Sequence, residues 1–178
     1  MRLVLITLAL CLCLVPLLAQ QEYEVRMDKK DAFTVIGMEV LNTMDSAVMM
    51  ELWTRFIPAI SQVPNHVGEQ YYGLNYYTEE LNEEGEPGFG YMAAAEVRNL
   101  PDVPEGFVSR EIPASAYAVF THRGPAQNMS KIFEYIYGQW VRETQLKPKM
   151  QPSFEVYDHR YDPESPDSIV EIWVPVQE

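Results

Sequence analysis

Near its C-terminus the chain carries Ser168-Ile169-Val170-Glu171-Ile172-Trp173-Val174-Pro175-Val176, a β-branched run with a carboxylate two residues from an indole. Alternation along a strand puts Val170, Ile172 and Val174 on one apolar face and Ile169, Glu171 and Trp173 on the other. An acid held mid-strand is costly unless it is solvated or paired. That second face is therefore either open to water or the lining of a cavity that attracts a cation or a proton. In a cavity, Glu171 supplies the negative field and Trp173 a flat wall for cation–π and apolar contact. The same acid, set beside a reactive substrate, can serve as a base that activates water.

Other residues have the types to complete such a wall. Tyr91, Ala93 and Ala95 alternate on one strand face, and small residues set opposite large ones leave room for a ligand. Tyr117 carries a hydroxyl that needs a partner when buried. Trp53 sits on a helix stripe whose simplest role is core packing. His66, His122 and His159 lack metal-ligand spacing, the chain has no phosphate-binding glycine loop, and no cofactor is implied. His122-Arg123, just before Gly124-Pro125, reads as a surface turn.

The elements that must position these residues follow from periodicity and punctuation. Residues 33–40 read as a strand, and Asn42-Thr43-Met44-Asp45-Ser46 offers several N-cap candidates for a helix that Pro58 breaks or kinks near its end. Tyr71-Tyr72-Gly73-Leu74-Asn75-Tyr76-Tyr77 is an aromatic strand, turning through acidic residues 82–88 into a returning strand over 89–97. The pattern leaves open which tyrosine pair, Tyr72 and Tyr76 or Tyr71 and Tyr77, faces inward. Residues 100–106 form a Pro/Gly link. Then the order repeats: a strand over 117–122, an amphipathic helix over 128–145 with Ile132, Ile136 and Trp140 on one stripe, a strand over 154–160, and the closing strand. The repeated order predicts an α+β domain of duplicated β-α-β-β units, with antiparallel strands of the two halves (about 23–100 and 107–178) together and helices outside.

Composition bounds the function. Of 178 residues 47% are hydrophobic, enough for a core, and the net charge of −13 with no basic stripe excludes direct nucleic-acid binding as an expectation. Arg2 followed by an apolar run over 3–18 and Ala19 reads as a signal peptide over 1–19, leaving an exported domain over 20–178, secreted or periplasmic and free of the membrane after cleavage. Both cysteines, Cys11 and Cys13, lie in that run, so the mature domain has no disulfide framework.

Ile112-Pro113-Ala114, Tyr117-Ala118-Val119-Phe120-Thr121-His122-Arg123-Gly124-Pro125, a helix with Trp140 and the closing Glu171-Ile172-Trp173-Val174-Pro175-Val176 together resemble the gyrase-inhibitor-like, or AraC-type, bacterial effector-binding domain superfamily. The resemblance covers residues 33–176. It implies a pseudo-twofold fold with a groove between the halves and an aromatic pocket with a buried acid for amphipathic, often cationic, small molecules. It favours Glu171, Trp173, Tyr91, Tyr117, Ala93, Ala95 and Trp53 as one ligand-binding set. With only a signal peptide ahead of it, the expected role is small-molecule binding without a DNA-binding half. A hydrolase of small reactive electrophiles using Glu171, and a protein-interaction module of the cell envelope, are the alternatives. A lone well-placed acid favours binding over turnover.

Overall fold

The computed structural model describes residues 23–43, 45–81, 85, 87–99 and 102–177. The expected signal peptide lies outside these residues, as do most of the acidic turn after the aromatic strand and the first two positions of the central link. Among the described residues eight strands form one antiparallel sheet: β1 (Glu24–Lys30), β2 (Phe33–Leu41), β3 (His66–Leu81), β4 (Pro87–Val97), β5 (Val108–Ile112), β6 (Ser115–Arg123), β7 (Ser153–Tyr157) and β8 (Ile169–Val176). Their order in space is β1-β6-β8-β7-β3-β4-β2-β5. Helix α1 (Ser46–Ala59) follows β2. Helix α2 (Met129–Tyr135) follows β6 and continues through a π turn, Ile136–Trp140, into a last short turn, Val141–Glu143.

The duplication is visible in this order. Units β2-α1-β3-β4 and β6-α2-β7-β8 meet where β3 pairs with β7, and each unit arranges its strands in the same spatial sequence outward from that seam. The remaining strands are exchanged: β1, just before the first unit, edges the second on β6, and β5, just before the second unit, edges the first on β2. Only Asp31 and Ala32 separate β1 from β2, so Lys30 and Phe33 lie within about 11 Å although their strands belong to opposite parts of the sheet. Pro113 and Ala114 make the equivalent link between β5 and β6. The sheet is therefore drawn round into a deep curl.

Curling divides the core by sheet face. The helix-free face turns inward and fills with rings: Phe33, Tyr72, Tyr76, Tyr117 and Phe154 are buried there, with Trp173 stacked on Phe154 at 5.6 Å. Tyr71 and Tyr77 thus take the helix side. On the outer face, Leu52 and Phe56, one turn apart on α1, are buried over Ile36, Ala93 and Ala95. Each contributes about 1.5–3 kcal/mol by leaving water. The short side chains of Ala93 and Ala95 let α1 sit close to β4. Asp45 caps α1, its Oδ1 accepting from the Ala47 amide at 2.8 Å. Over the other half, Ile132 and Ile136 pack on Phe120, Ile172 and Val174. His122 is buried with this group at 3% exposure, correcting the surface turn expected for it, because strand β6 extends through Arg123.

Candidate functional site

Among the described residues, four strand glutamates, Glu39, Glu96, Glu155 and Glu171, are partly or fully buried, and the fold treats them unequally. Glu39 on β2 accepts from Arg110 at 2.9 Å and from Tyr76. Glu96 on β4 accepts from Lys30 at 3.2 Å and Tyr72 at 2.9 Å. Glu171 on β8 accepts from Arg26 at 2.9 Å and the Trp173 indole at 3.2 Å, with Arg160 at 3.5 Å. These three share the helix-free face, and a cation from another strand or loop neutralises each. Glu155 on β7 lies on the helix side, 3% exposed, and among the described residues no lysine or arginine lies within salt-bridge distance of it.

Neutral donors hold Glu155 instead. Asn75 Nδ2 donates to Oε1 at 2.8 Å, Tyr91 Oη to Oε2 at 2.9 Å, and Tyr157 Oη to Oε2 at 3.4 Å. Trp53 Nε1 in turn donates to Tyr91 Oη at 2.9 Å, so the chain Trp53–Tyr91–Glu155 runs donor to acceptor toward the carboxylate. The Trp53 ring packs edge-on against Tyr157 at 5.0 Å, and Tyr157 against Tyr161 at 4.8 Å. Burial pushes the Glu155 carboxyl up to about 7, although the bonds from Asn75, Tyr91 and Tyr157 pull the other way. Burial and the adjacent Glu155 likewise push the Tyr91 hydroxyl well above its ordinary value, so it remains a donor.

Three local features place this carboxylate. Alternation in Ser153-Phe154-Glu155-Val156-Tyr157 sends Phe154 and Val156 into the inner aromatic core and Glu155 outward. Gly73 is its register partner on β3, and a methyl group there would run into Glu155 Oε2 and the Tyr91 hydroxyl. The helices cover the flanking strands, α1 over β2 and β4 and α2 over β6 and β8, so β7 and β3 floor a cleft between them. At the α2 side of that cleft the π turn brings the Tyr137 hydroxyl to 3.4 Å from Ser153 Oγ.

The set expected from the sequence is divided by this geometry. Tyr91 and Trp53 stand in the helix-side cleft, with Ala93 and Ala95 buried beneath α1. Glu171, Trp173 and Tyr117 lie on the inner face, where Tyr117 meets Trp173 edge-on at 5.6 Å. The expectation of one groove shared by all seven is therefore corrected. Its physical cause is parity: odd residues of β4 face the helices, whereas on β8 the even residues Val170, Ile172 and Val174 do. Glu171 borders a separate groove of about 310 Å³ with Asp28, Lys30, Asp158, Arg160 and Trp173. Charges in that groove largely neutralise one another, Arg160 forking onto Asp158 at 2.7 Å. Burial opposes ionisation of Glu171, but the hydrogen bond and charge of Arg26, with Trp173 and Arg160, outweigh it and hold the carboxyl below its ordinary value.

Glu155 was missed by the sequence reading, yet its signal has the form that singled out Glu171: an acid alternating with apolar residues mid-strand. Glycine at 73, on the neighbouring aromatic strand, is the second sign.

Known proteins of similar sequence and shape agree with this architecture. The chain is 37% identical over 153 residues to the transcriptional regulator BrlR of Pseudomonas aeruginosa, a match covering 85% of this chain and 54% of that protein. It thus spans about half the length of this curated relative. The solved structure of SAV2435 bound to tetraphenylphosphonium has a TM-score of 0.69 at 21% identity, covering 86% of this chain and 94% of that one. An integron cassette protein of Vibrio cholerae, Cass2, has a TM-score of 0.62 at 19% identity, over 87% and 97% of the two chains. Both share the α+β fold of a curled antiparallel sheet with helices on one side. Residues 26–176 match the family described as Cass2, integron-associated effector binding protein, and the chain belongs to that family.

Proposed function

We propose that this protein binds an amphipathic organic cation in the cleft between α1 and α2, with Glu155 as its counter-charge. The observation that carries the reading is a fully buried carboxylate held by neutral donors, among rings, with no cationic side chain among the described residues to neutralise it. A cation brought there from water meets a field that bulk solvent does not screen, and the faces of Trp53, Tyr91, Tyr157 and Tyr161 offer cation–π and apolar contact. Tetraphenylphosphonium bound to SAV2435 supports this class of ligand. Because Glu155 is only 3% exposed, the Trp53–Tyr157 contact parts to admit the ligand. Export, suggested by the N-terminal apolar run, belongs to the same reading, and sequencing the N-terminus of the mature protein tests it.

Calorimetry with tetraphenylphosphonium and neutral triphenylphosphine oxide tests the binding role. Glu155→Gln weakens the cation by about tenfold or more and the neutral compound by less than about twofold, because only the cation loses a charge partner. Equal losses for the two compounds, or no binding of the cation by the wild type, overturn it.

A further inference from the structure

The layer over Glu155 does not end at the closed rings of Trp53, Tyr91 and Tyr157. Strand β7 begins at Ser153, paired with Asn75, so β3 continues past it with no neighbour from β7. Tyr77, two residues beyond Asn75, points to the helix side there and is 60% exposed. On the π turn Tyr137, 50% exposed, brings its hydroxyl to Ser153, the register partner of Asn75 and the residue that opens the strand bearing Glu155. Burial raises the Tyr137 hydroxyl above its ordinary value, and the nearby Glu155 adds to the rise. Two large, half-exposed aromatic residues thus stand on the helix side of the sheet, at the end of the strand that bears the buried charge. π turns are rare irregularities frequently found at functional sites, and this one carries Tyr137.

From this juxtaposition we infer that Tyr77 and Tyr137 are the outer half of the ligand site and select cations bearing more than one aryl group. This inference rests on the Glu155 reading. The cationic centre and one ring occupy the inner half near Glu155, and a further ring lies between Tyr77 and Tyr137 on the Asn75–Ser153 floor. A cation with a single ring fills the inner half alone and gains nothing from the outer pair.

The full chain is titrated with tetraphenylphosphonium and with phenyltrimethylammonium, using wild type, Tyr77→Ala, Tyr137→Ala, Tyr77→Phe, Tyr137→Phe and Glu155→Gln. Each alanine variant weakens tetraphenylphosphonium about five- to tenfold, the scale of one lost aromatic or cation–π contact, and leaves phenyltrimethylammonium within about twofold. Each phenylalanine variant retains the wild-type preference, because the wall is the ring and not the hydroxyl. Loss of Glu155 weakens both cations. Unchanged tetraphenylphosphonium affinity in both alanine variants overturns the inference while the Glu155 reading stands. Equal loss of the two cations in those variants also overturns it, since the tyrosines then act through the inner half. Insensitivity of both cations to Glu155→Gln, or failure of the wild type to bind either, removes the Glu155 reading and the outer half with it.

Discussion

Gly73 stands opposite Glu155 across the β3–β7 pair, and the carboxylate together with the Tyr91 hydroxyl occupies the space a side chain at 73 would take. The seam between the two halves is thereby also the place where a buried charge fits. A larger residue on β3 and a hydrogen-bonded Glu155 exclude each other.

Gly73→Ala separates site from fold. The atoms its methyl group meets are the ends of two side chains, which can swing away, so the stability cost is about 1–3 kcal/mol, as for overpacking elsewhere. Binding of tetraphenylphosphonium is lost by more than that cost explains, because Glu155 and Tyr91 no longer meet. Gly37→Ala is the contrast: its methyl group meets the Ala93 carbonyl of the paired strand, and backbone must move. Thermal melts and titrations of both variants check the pair: Gly37→Ala melts lower than Gly73→Ala.

The carboxyl of Glu155 titrates at about 7 in the folded protein, against 4.5 as its ordinary value. A carboxyl raised on folding binds its proton more tightly in the native state, so its contribution is fully present below about pH 4.5 and is lost as pH rises through 7. Above that range the ionised group costs on the order of 3 kcal/mol of stability. Glu155→Gln therefore melts higher than the wild type at pH 8, and the difference closes by pH 4. Ligand binding has the opposite slope: cation affinity rises with pH through 7 and levels off above 8, and at pH 6 binding releases a proton, read by calorimetry in buffers of different ionisation enthalpy.

Removing the Tyr91 hydroxyl changes the charge before it changes the fold. Tyr91→Phe deletes a donor to Glu155 and leaves the Trp53 indole without its acceptor. The expected outcome is a carboxyl that titrates higher than in the wild type, seen by carbon-detected NMR, with a stability loss of about 1–3 kcal/mol.

Glu171 tests the opposite assignment. Its charge is already met by Arg26 and Arg160, so Glu171→Gln leaves tetraphenylphosphonium affinity within about twofold. Arg26 is exposed enough that Arg26→Ala costs at most about 1 kcal/mol, which denaturant unfolding resolves.

Architecture was readable from the chain because it rests on local signals: alternation in 169–176, the helix stripe of Ile132 and Ile136, and a repeated element order. Which acid stands without a cationic partner among the described residues was not. Glu39, Glu96, Glu155 and Glu171 are all strand glutamates, and what separates them is which cation reaches each one. Lys30 is 66 positions from Glu96 and Arg26 is 145 from Glu171, distances over which periodicity carries no information. The face of a strand is equally sensitive, since one residue of misalignment between β4 and β8 carries Glu171 to the wrong side of the sheet. Tyr91 was singled out by its strand face and Trp53 by the resemblance, and the structure sets both beside Glu155.

The exchanged strands β1 and β5 bear on how the chain reaches its native state. Strand β1 is made first, yet its partner β6 lies some ninety residues later, across a loop whose closure must be offset before the pairing returns any free energy. Neither half owns both its edges. A cut within residues 102–107 yields two fragments that each lack a border strand, and each supplies the one the other needs. Mixed together, such fragments assemble as complements; kept apart, each exposes the unpaired edge that ordinarily receives its neighbour's strand.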